Sequence, residues 1–498
     1  MSNKIISIKL DDAVIEFEIQ PRIINDIIMT PFGPIFDALG ALAAYNVDTQ
    51  TISARKSFCT VEATIGKKTA VVNGQEREMD AAPVIIEATT FVPVRFIAEA
   101  FNNTVEWDRE TNTVIITSGE LGDSKEYSQK VGKVAVGYFW HPNSSNDEYP
   151  DYIKEEVAES IETIKSVQNE NTVSFVFATD VHYSKSTNHD IRMKRLTNAF
   201  KDIAEKTGID MVVLGGDYVN DGVKEYKLDN YAELVKHLDG INYFPTNGNH
   251  DDNSIWDVYL EAPKSTNHLT TAEMYDTFYS HLEKKDVMFG DENKGLYYML
   301  DDNEGKVRYI FLDSHDMEEI YDDNGLLLYK KQHISAFSQK QIDWLVNKAL
   351  SFDEEGWGVV ILAHSIMVPG RTASEIEYIG FLSEILGAYR AGEKLQAKYN
   401  EGYFEISVDV DFASTKRGEV MGVFAGHTHN DLCTTDENNI PYINTSCVIM
   451  YKGDESRTDG DKTEMLFDVV TIDKEKQIIY ITRVGAGEDR EVSYSYSK

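Results

Sequence analysis

The sequence predicts an α/β protein fronted by a smaller α+β unit, on three observations. From Thr172 onward, short runs rich in β-branched residues alternate with stretches of helical spacing, the pattern of a buried sheet with helices on its faces. Residues 1–118 repeat at a shift of 62 positions, which marks two copies of one supersecondary unit. Five short clusters of Gly, His, Asp and Asn stand directly after predicted strands, where α/β folds place their sites. The expected organisation is a two-repeat unit over 1–118, a linker and lead-in helix over 119–170, and one larger domain over 171–498.

Under the shift, Pro21 falls on Pro83, Ile24 on Ile86, Pro31 on Pro93, Ile35 on Ile97 and Ile52 on Val114. Leu10-Asp11-Asp12 falls on Val72-Asn73-Gly74, residues that tolerate the positive φ of a tight hairpin. Each copy predicts a hairpin (6–17; 70–79), an extended proline-bounded stretch, a short helix (34–39; 94–101) and two strands around a polar turn. Helices this short cannot stand alone and are expected to pack on their own sheets. Residues 118–130 read as a polar linker and 141–146 as a loop. Ile153, Val157, Ile161, Ile164 and Val167 form a helical stripe expected to pack on the following domain. Beyond it, strands are predicted at 173–178, 211–214, 243–245, 307–312, 358–362, 421–424, 465–472 and 477–483. Helices are predicted at 191–203, 231–238 and 375–390.

Composition narrows the function. With 48 Lys+Arg against 84 Asp+Glu, the formal charge is −36. That excludes a broad nucleic-acid surface, but not a small phosphate ester held through metal ions, which reverse the local field. No apolar run approaches the roughly 18 residues of a membrane span. The N-terminus has no apolar signal-peptide core, so a cytoplasmic location is expected if that N-terminus is native. Cys59, Cys433 and Cys447 are too few and scattered for a disulfide framework. At most Cys433 and Cys447 could pair, and buried or free thiols are expected.

The repeat resembles the stalk-type module related to the N-terminal domain of copper amine oxidases. Phe91-Val92-Pro93-Val94-Arg95-Phe96-Ile97-Ala98-Glu99-Ala100 and Val105-Glu106-Trp107-Asp108 carry the resemblance. It implies a spacer or cell-envelope attachment role in a secreted or surface protein of bacteria. A copper site is not expected, because residues 1–118 contain no histidine.

The five clusters are Thr179-Asp180-Val181-His182, Gly215-Gly216-Asp217, Gly248-Asn249-His250-Asp251, Ala363-His364-Ser365 and Gly426-His427-Thr428-His429. Imidazole, carboxylate and amide oxygen are ligands for borderline and hard divalent ions. The set is too large for one tetrahedral ion, and two ions sharing a carboxylate accommodate it. Taken singly, an Asp-x-His or Gly-Asn-His is an ordinary turn; five in order, each at a strand end, point to a site.

The ordered set resembles the calcineurin-like metallophosphoesterase superfamily over about 172–450. The resemblance implies a β-sandwich-type core flanked by helices and a metal-activated water that attacks phosphorus in line. By the same resemblance Asp180, His182 and His429 would hold one ion and Asn249, His364 and His427 the other, with Asp217 bridging. His250 would donate a proton or contact the phosphoryl group, with Asp251 orienting it. Asn220 stands where purple acid phosphatases carry a tyrosine ligand, so a ferric–tyrosinate site is not expected; Mn, Fe, Zn or a mixture stays open. Arg371 and His315 are candidate substrate contacts, whereas His237 and His268 are expected to face solvent. Two alternatives stay open: a surface scaffold with an idle phosphoesterase domain, and a binuclear hydrolase of another bond.

Overall fold

The computed structural model describes residues 6–117, 146–254, 268–321, 327–365, 376–450 and 456–494. Short breaks within these spans fall at 12, 16, 18, 26, 40–41, 47–49, 57–58, 73–74, 87–88, 102, 110, 223, 293, 379 and 402–403. The expected linker over 118–130, most of the 141–146 loop and Arg371 lie outside the described residues. The described residues divide into two compact units, 6–117 and 146–494.

In the first unit the two repeats interlock. Strands Ile27–Pro31 and Thr89–Pro93 pair antiparallel at the centre of a four-stranded sheet, with Arg22–Ile24 and Val84–Ile86 at its edges. Thr30 lies opposite Val92, its own counterpart in the other repeat, so the pairing is its own mirror under the shift. Strand Ser7–Leu10 pairs in parallel with Thr113–Thr117. At the equivalent place in the five-stranded sheet, Cys59–Thr64 is inserted between Thr51–Lys56 and Thr69–Val72, a strand the repeat did not foretell. The helices Phe32–Ala38 and Val94–Ala100 pack as expected on strands of their own copies, the first on Leu42–Asn46 and the second on Thr104–Asp108, and they also meet each other. Ile35, Phe36, Ile97 and Phe101 enter one shared core, and the Phe36 and Phe101 rings meet edge to face at 6.1 Å. A seven-residue helix lacks the length to hold itself, and one core between two such helices buries both.

The second unit has two large sheets, besides two two-stranded ones, where the alternation predicted one. The six-stranded sheet runs Asn242–Pro245, Met211–Leu214, Thr172–Ala178, Leu466–Asp473, Ile478–Gly485, Arg490–Ser493, with the first three strands parallel. The seven-stranded sheet runs Val287–Phe289, Tyr298–Asp302, Val307–Phe311, Gly358–Leu362, Glu419–Ala425, Pro441–Asn444, Leu432–Thr435. Its four central-to-late strands from Val307–Phe311 to Pro441–Asn444 are parallel. The sheets share a core: the Phe175 ring lies 5.7 Å from Tyr309 and 5.4 Å from Phe424. Apolar runs buried on both faces read alike whichever sheet they join, which is why periodicity did not separate them.

Helix Asp151–Val167 buries Ile153, Val157, Ile161 and Ile164 in that core, as its stripe required. On the far face of the seven-stranded sheet, Ile342, Leu345, Ile385 and Leu386 build a second core. The predicted 375–390 helix is a strand at Ile376–Tyr378 followed by a helix at Leu382–Ala391. Hairpin Lys394–Glu401/Phe404–Asp411 had no counterpart in the sequence reading. No helix among the described residues is long and apolar enough to cross a membrane.

Candidate metal centre

The parallel strands of both sheets deliver their C-terminal turns to one place. Asp180 and His182 follow Thr172–Ala178, Asp217 follows Met211–Leu214, and Asn249 and His250 follow Asn242–Pro245. His364 follows Gly358–Leu362, and His427 and His429 follow Glu419–Ala425. Five of these residues hold left-handed backbone: Asp180 (φ 56°), His182 (44°), Asp217 (54°), His427 (69°) and His429 (53°). Such conformations cost about 1–3 kcal/mol each outside glycine and cluster at functional sites. Glycines clear the space. At Gly426 a Cβ would lie 2.5 Å from Asp180 Oδ2, and at Gly216 (φ 93°) it would lie 2.5 Å from His364 Nδ1.

The seven candidate ligands converge. His429 Nε2 lies 3.1 Å from Asp180 Oδ1, and the His427 backbone N–H donates to Asp180 Oδ2 at 3.0 Å. Asp217 Oδ2 lies 3.6 Å from His182 Nε2 and 3.4 Å from His364 Nε2. Asn249 Oδ1 lies 3.0 Å from both His364 Nε2 and His427 Nδ1. His364 Nδ1 donates to the Gly215 carbonyl at 2.6 Å, which fixes the ring's orientation and aims Nε2 inward. Asp180, His182 and His429 form one group whose donor atoms lie within 4.8 Å of one another, and Asp180, Asp217 and His364 form another.

This donor set fits divalent metal. The two carboxylates are buried, and the groups that face them are imidazole nitrogens, backbone N–H groups and the Thr179 hydroxyl, which donates to Asp180 Oδ2 at 2.6 Å. Burial alone would raise the Asp180 and Asp217 carboxyls, but the surrounding imidazoles bring both below the usual range. Burial pushes His182 down to about 3, leaving a neutral ring suited to ligation. Burial also pulls on His364, but Asp217 and Asp180 outweigh it and raise that ring to about 9.

His250 stands beside the ligands, its ring 5.2 Å from that of His182 and its side chain 12% exposed. Its Nδ1 lies 2.5 Å from Asp221 Oδ2. The expected partner, Asp251, is not the one used. The Asp251 carboxylate accepts from the backbone N–H groups of Asp217 (3.0 Å), Tyr218 (2.9 Å) and Gly248 (2.7 Å) and from the Tyr231 hydroxyl (3.0 Å). It ties two ligand-bearing loops together and points away from the imidazole because those N–H groups claim both its oxygens. Asp221, four residues after Asp217, was missed; a second aspartate in the same loop was the available signal.

His315 is fully buried behind His364, with ring centroids 5.9 Å apart, and Nε2 lies 3.2 Å from Ser365 Oγ. It packs against the His364 ring and has no solvent-exposed surface. His237 and His268 do not simply face solvent: His237 Nε2 lies 3.1 Å from Asp190, and buried His268 lies 2.9 Å from the Tyr321 hydroxyl. Tyr218 donates to the Leu214 carbonyl at 3.1 Å, away from the centre. Cys433 and Cys447 are free thiols.

The family model described as calcineurin-like phosphoesterase matches residues 173–431, and the copper amine oxidase N-terminal domain model matches residues 9–116. No curated protein sequence matches the chain. Among solved structures, a dimetal phosphatase from Danio rerio is similar at 15% identity and TM-score 0.42, over 65% of this chain and 99% of that one. A 5'-nucleotidase from Candida albicans is similar at 14% identity and TM-score 0.33, over 60% of this chain and 47% of that one.

Proposed function

The chain belongs to the calcineurin-like phosphoesterase family and is a phosphoric ester hydrolase, and we propose that it cleaves small phosphate monoesters or diesters at two divalent metal ions. One observation carries this: a single oxygen, Asp217 Oδ2, faces His182 Nε2 at 3.6 Å and His364 Nε2 at 3.4 Å, the place of a bridging carboxylate. Asp180, His182 and His429 would hold one ion, and Asn249, His364 and His427 the other. When bound, such a pair supplies an activated water and charge neutralisation at phosphorus.

The chain's own residues do the rest. His364 is held in one orientation by the Gly215 carbonyl. Asp251 and the left-handed turns keep the ligand loops in register. His250, its Nδ1 held by Asp221, would present Nε2 to a phosphoryl or leaving-group oxygen and move a proton there. The front unit would act as a spacer that attaches the enzyme to a cell envelope, on a secreted or surface protein. The test is elemental analysis after loading with Mn or Zn, followed by a panel of phosphomonoesters, phosphodiesters and nucleotides. About two ions per chain with turnover is expected. One ion per chain, or two ions with no turnover on any ester, would overturn the proposal.

A further inference from the structure

Lys227, in the first turns of helix Lys224–His237, is fully buried. A lysine is almost never fully buried unless paired. Its ammonium has three acceptors: the Val219 carbonyl at 3.1 Å, the His250 carbonyl at 2.6 Å and Asp221 Oδ1 at 3.4 Å. Val219 and Asp221 belong to the loop that carries Asp217, and His250 follows Asn249. One ammonium therefore joins the two loops that carry the proposed bridging ligand and the proposed proton donor. Asn253 adds a neutral link, accepting from Gly222 N at 3.1 Å and donating to the Gly222 carbonyl at 2.7 Å.

Asp221 is divided between two partners. Oδ2 takes the His250 imidazole and Oδ1 takes Lys227. Its side chain is 7% exposed, so solvent does little to orient it. Without Lys227 the carboxylate could turn about its own axis, and the His250 carbonyl would lose its donor. The remaining hydrogen bond from the imidazole fixes a distance, not a plane.

We propose that Lys227 is a positioning residue: it holds Asp221 and the His250 main chain so that the imidazole is aimed at the leaving-group oxygen. This rests on the proposed role of His250. The Met substitution Lys227→Met keeps the length of the side chain and removes the ammonium. Metal content is expected to stay near that of the parent. Turnover of an alkyl phosphoester, which needs leaving-group protonation, is expected to fall about 10- to 100-fold, part of the 100- to 10,000-fold associated with general acid catalysis. Turnover of a nitrophenyl ester should fall far less.

A double-mutant cycle supplies the second readout. With Asp221→Ala already present, Lys227→Met should shift the alkyl-to-aryl ratio much less than it does in the parent, because only its hold on the His250 carbonyl remains. Equal losses on both esters, loss of metal, or additive effects of the two substitutions would overturn the proposal. If the Met variant does not fold, Lys227→Gln carries the test: it removes the charge facing Asp221 and leaves an amide donor for the carbonyls, so a smaller shift of the alkyl-to-aryl ratio in the same direction is expected, and an unchanged ratio would overturn the proposal. An unchanged ratio in His250→Ala would instead remove the reading on which the proposal stands, which keeps the two failures apart.

Discussion

At the scale of single residues, charge decides what can be replaced. Asp217 would bring a negative bridge between two cations, whereas Asn249 brings a neutral amide, so Asp217→Asn is expected to lose more metal than Asn249→Ala when both are dialysed against the same weak chelator. Greater loss from Asn249→Ala would contradict the bridging role. His250→Ala should keep its metal and lose on the order of 100- to 10,000-fold in turnover of alkyl esters, with a smaller loss for a nitrophenyl ester. Loss of metal in that variant would make His250 a ligand. The candidate ligands were legible because each lies in a local signature: a glycine or a short turn directly after an apolar run. Asp221 and Lys227 were not, because their chemistry is made by two loops meeting, through contacts such as the 2.6 Å bond from Lys227 to the His250 carbonyl. The misassignment of Asp251 has the same origin. Adjacency to His250 in the chain suggested a partnership that the competing backbone N–H groups of Asp217, Tyr218 and Gly248 prevent.

At the scale of elements, one buried ionic cluster joins the two sheets. Asp468, on Leu466–Asp473 of the six-stranded sheet, accepts from Arg483 Nε at 2.8 Å, from Arg490, and from Thr445 Oγ1 at 2.6 Å. Thr445 directly follows Pro441–Asn444 of the seven-stranded sheet. Burial would raise the Asp468 carboxyl, but Arg483 and Arg490 outweigh it and hold it below the usual carboxylate range. A depressed carboxyl contributes stability above its unfolded value, and that contribution is lost as pH falls through the folded value. Unfolding free energy should therefore decline as the pH drops below about 4, and Asp468→Asn should flatten that decline. At neutral pH the same substitution, which takes one of two carboxylate partners from buried Arg483 and partly buried Arg490 and leaves them Asp431, should cost about 1–3 kcal/mol in denaturant unfolding. An acid limb as steep in the variant as in the parent would show that other carboxylates govern it. The eight strands expected beyond Thr172 exist, down to Met211–Leu214 and Gly358–Leu362, but others in the same sheets, Tyr298–Asp302 and Pro441–Asn444 among them, were not foreseen. Sheet membership was not legible either, since Val307–Phe311 and Thr172–Ala178 have the same buried, β-branched character and differ only in their partners.

At the scale of the whole molecule, the two units have separate cores and the seven candidate ligands all fall in the second. A chain from residue 146 onward should fold, bind metal and turn over a small phosphoester within a few-fold of the full-length rate. A cut at 171 should not, because it removes the helix Asp151–Val167, whose Ile153, Val157, Ile161 and Ile164 are buried in the catalytic core. A folded, metal-bound 146–498 fragment without turnover would show that the units depend on each other. The first unit has a further consequence, and it is mechanical. Its first and last strands, Ser7–Leu10 and Thr113–Thr117, run parallel and side by side. Tension along the chain would enter at the beginning of one and leave at the end of the other, at opposite ends of a single ladder. The strands would then have to slide past each other and break their hydrogen bonds together, not peel apart one bond at a time. A unit wired this way bears load in shear, and a pull along its own chain is the direction in which it should be hardest to tear open.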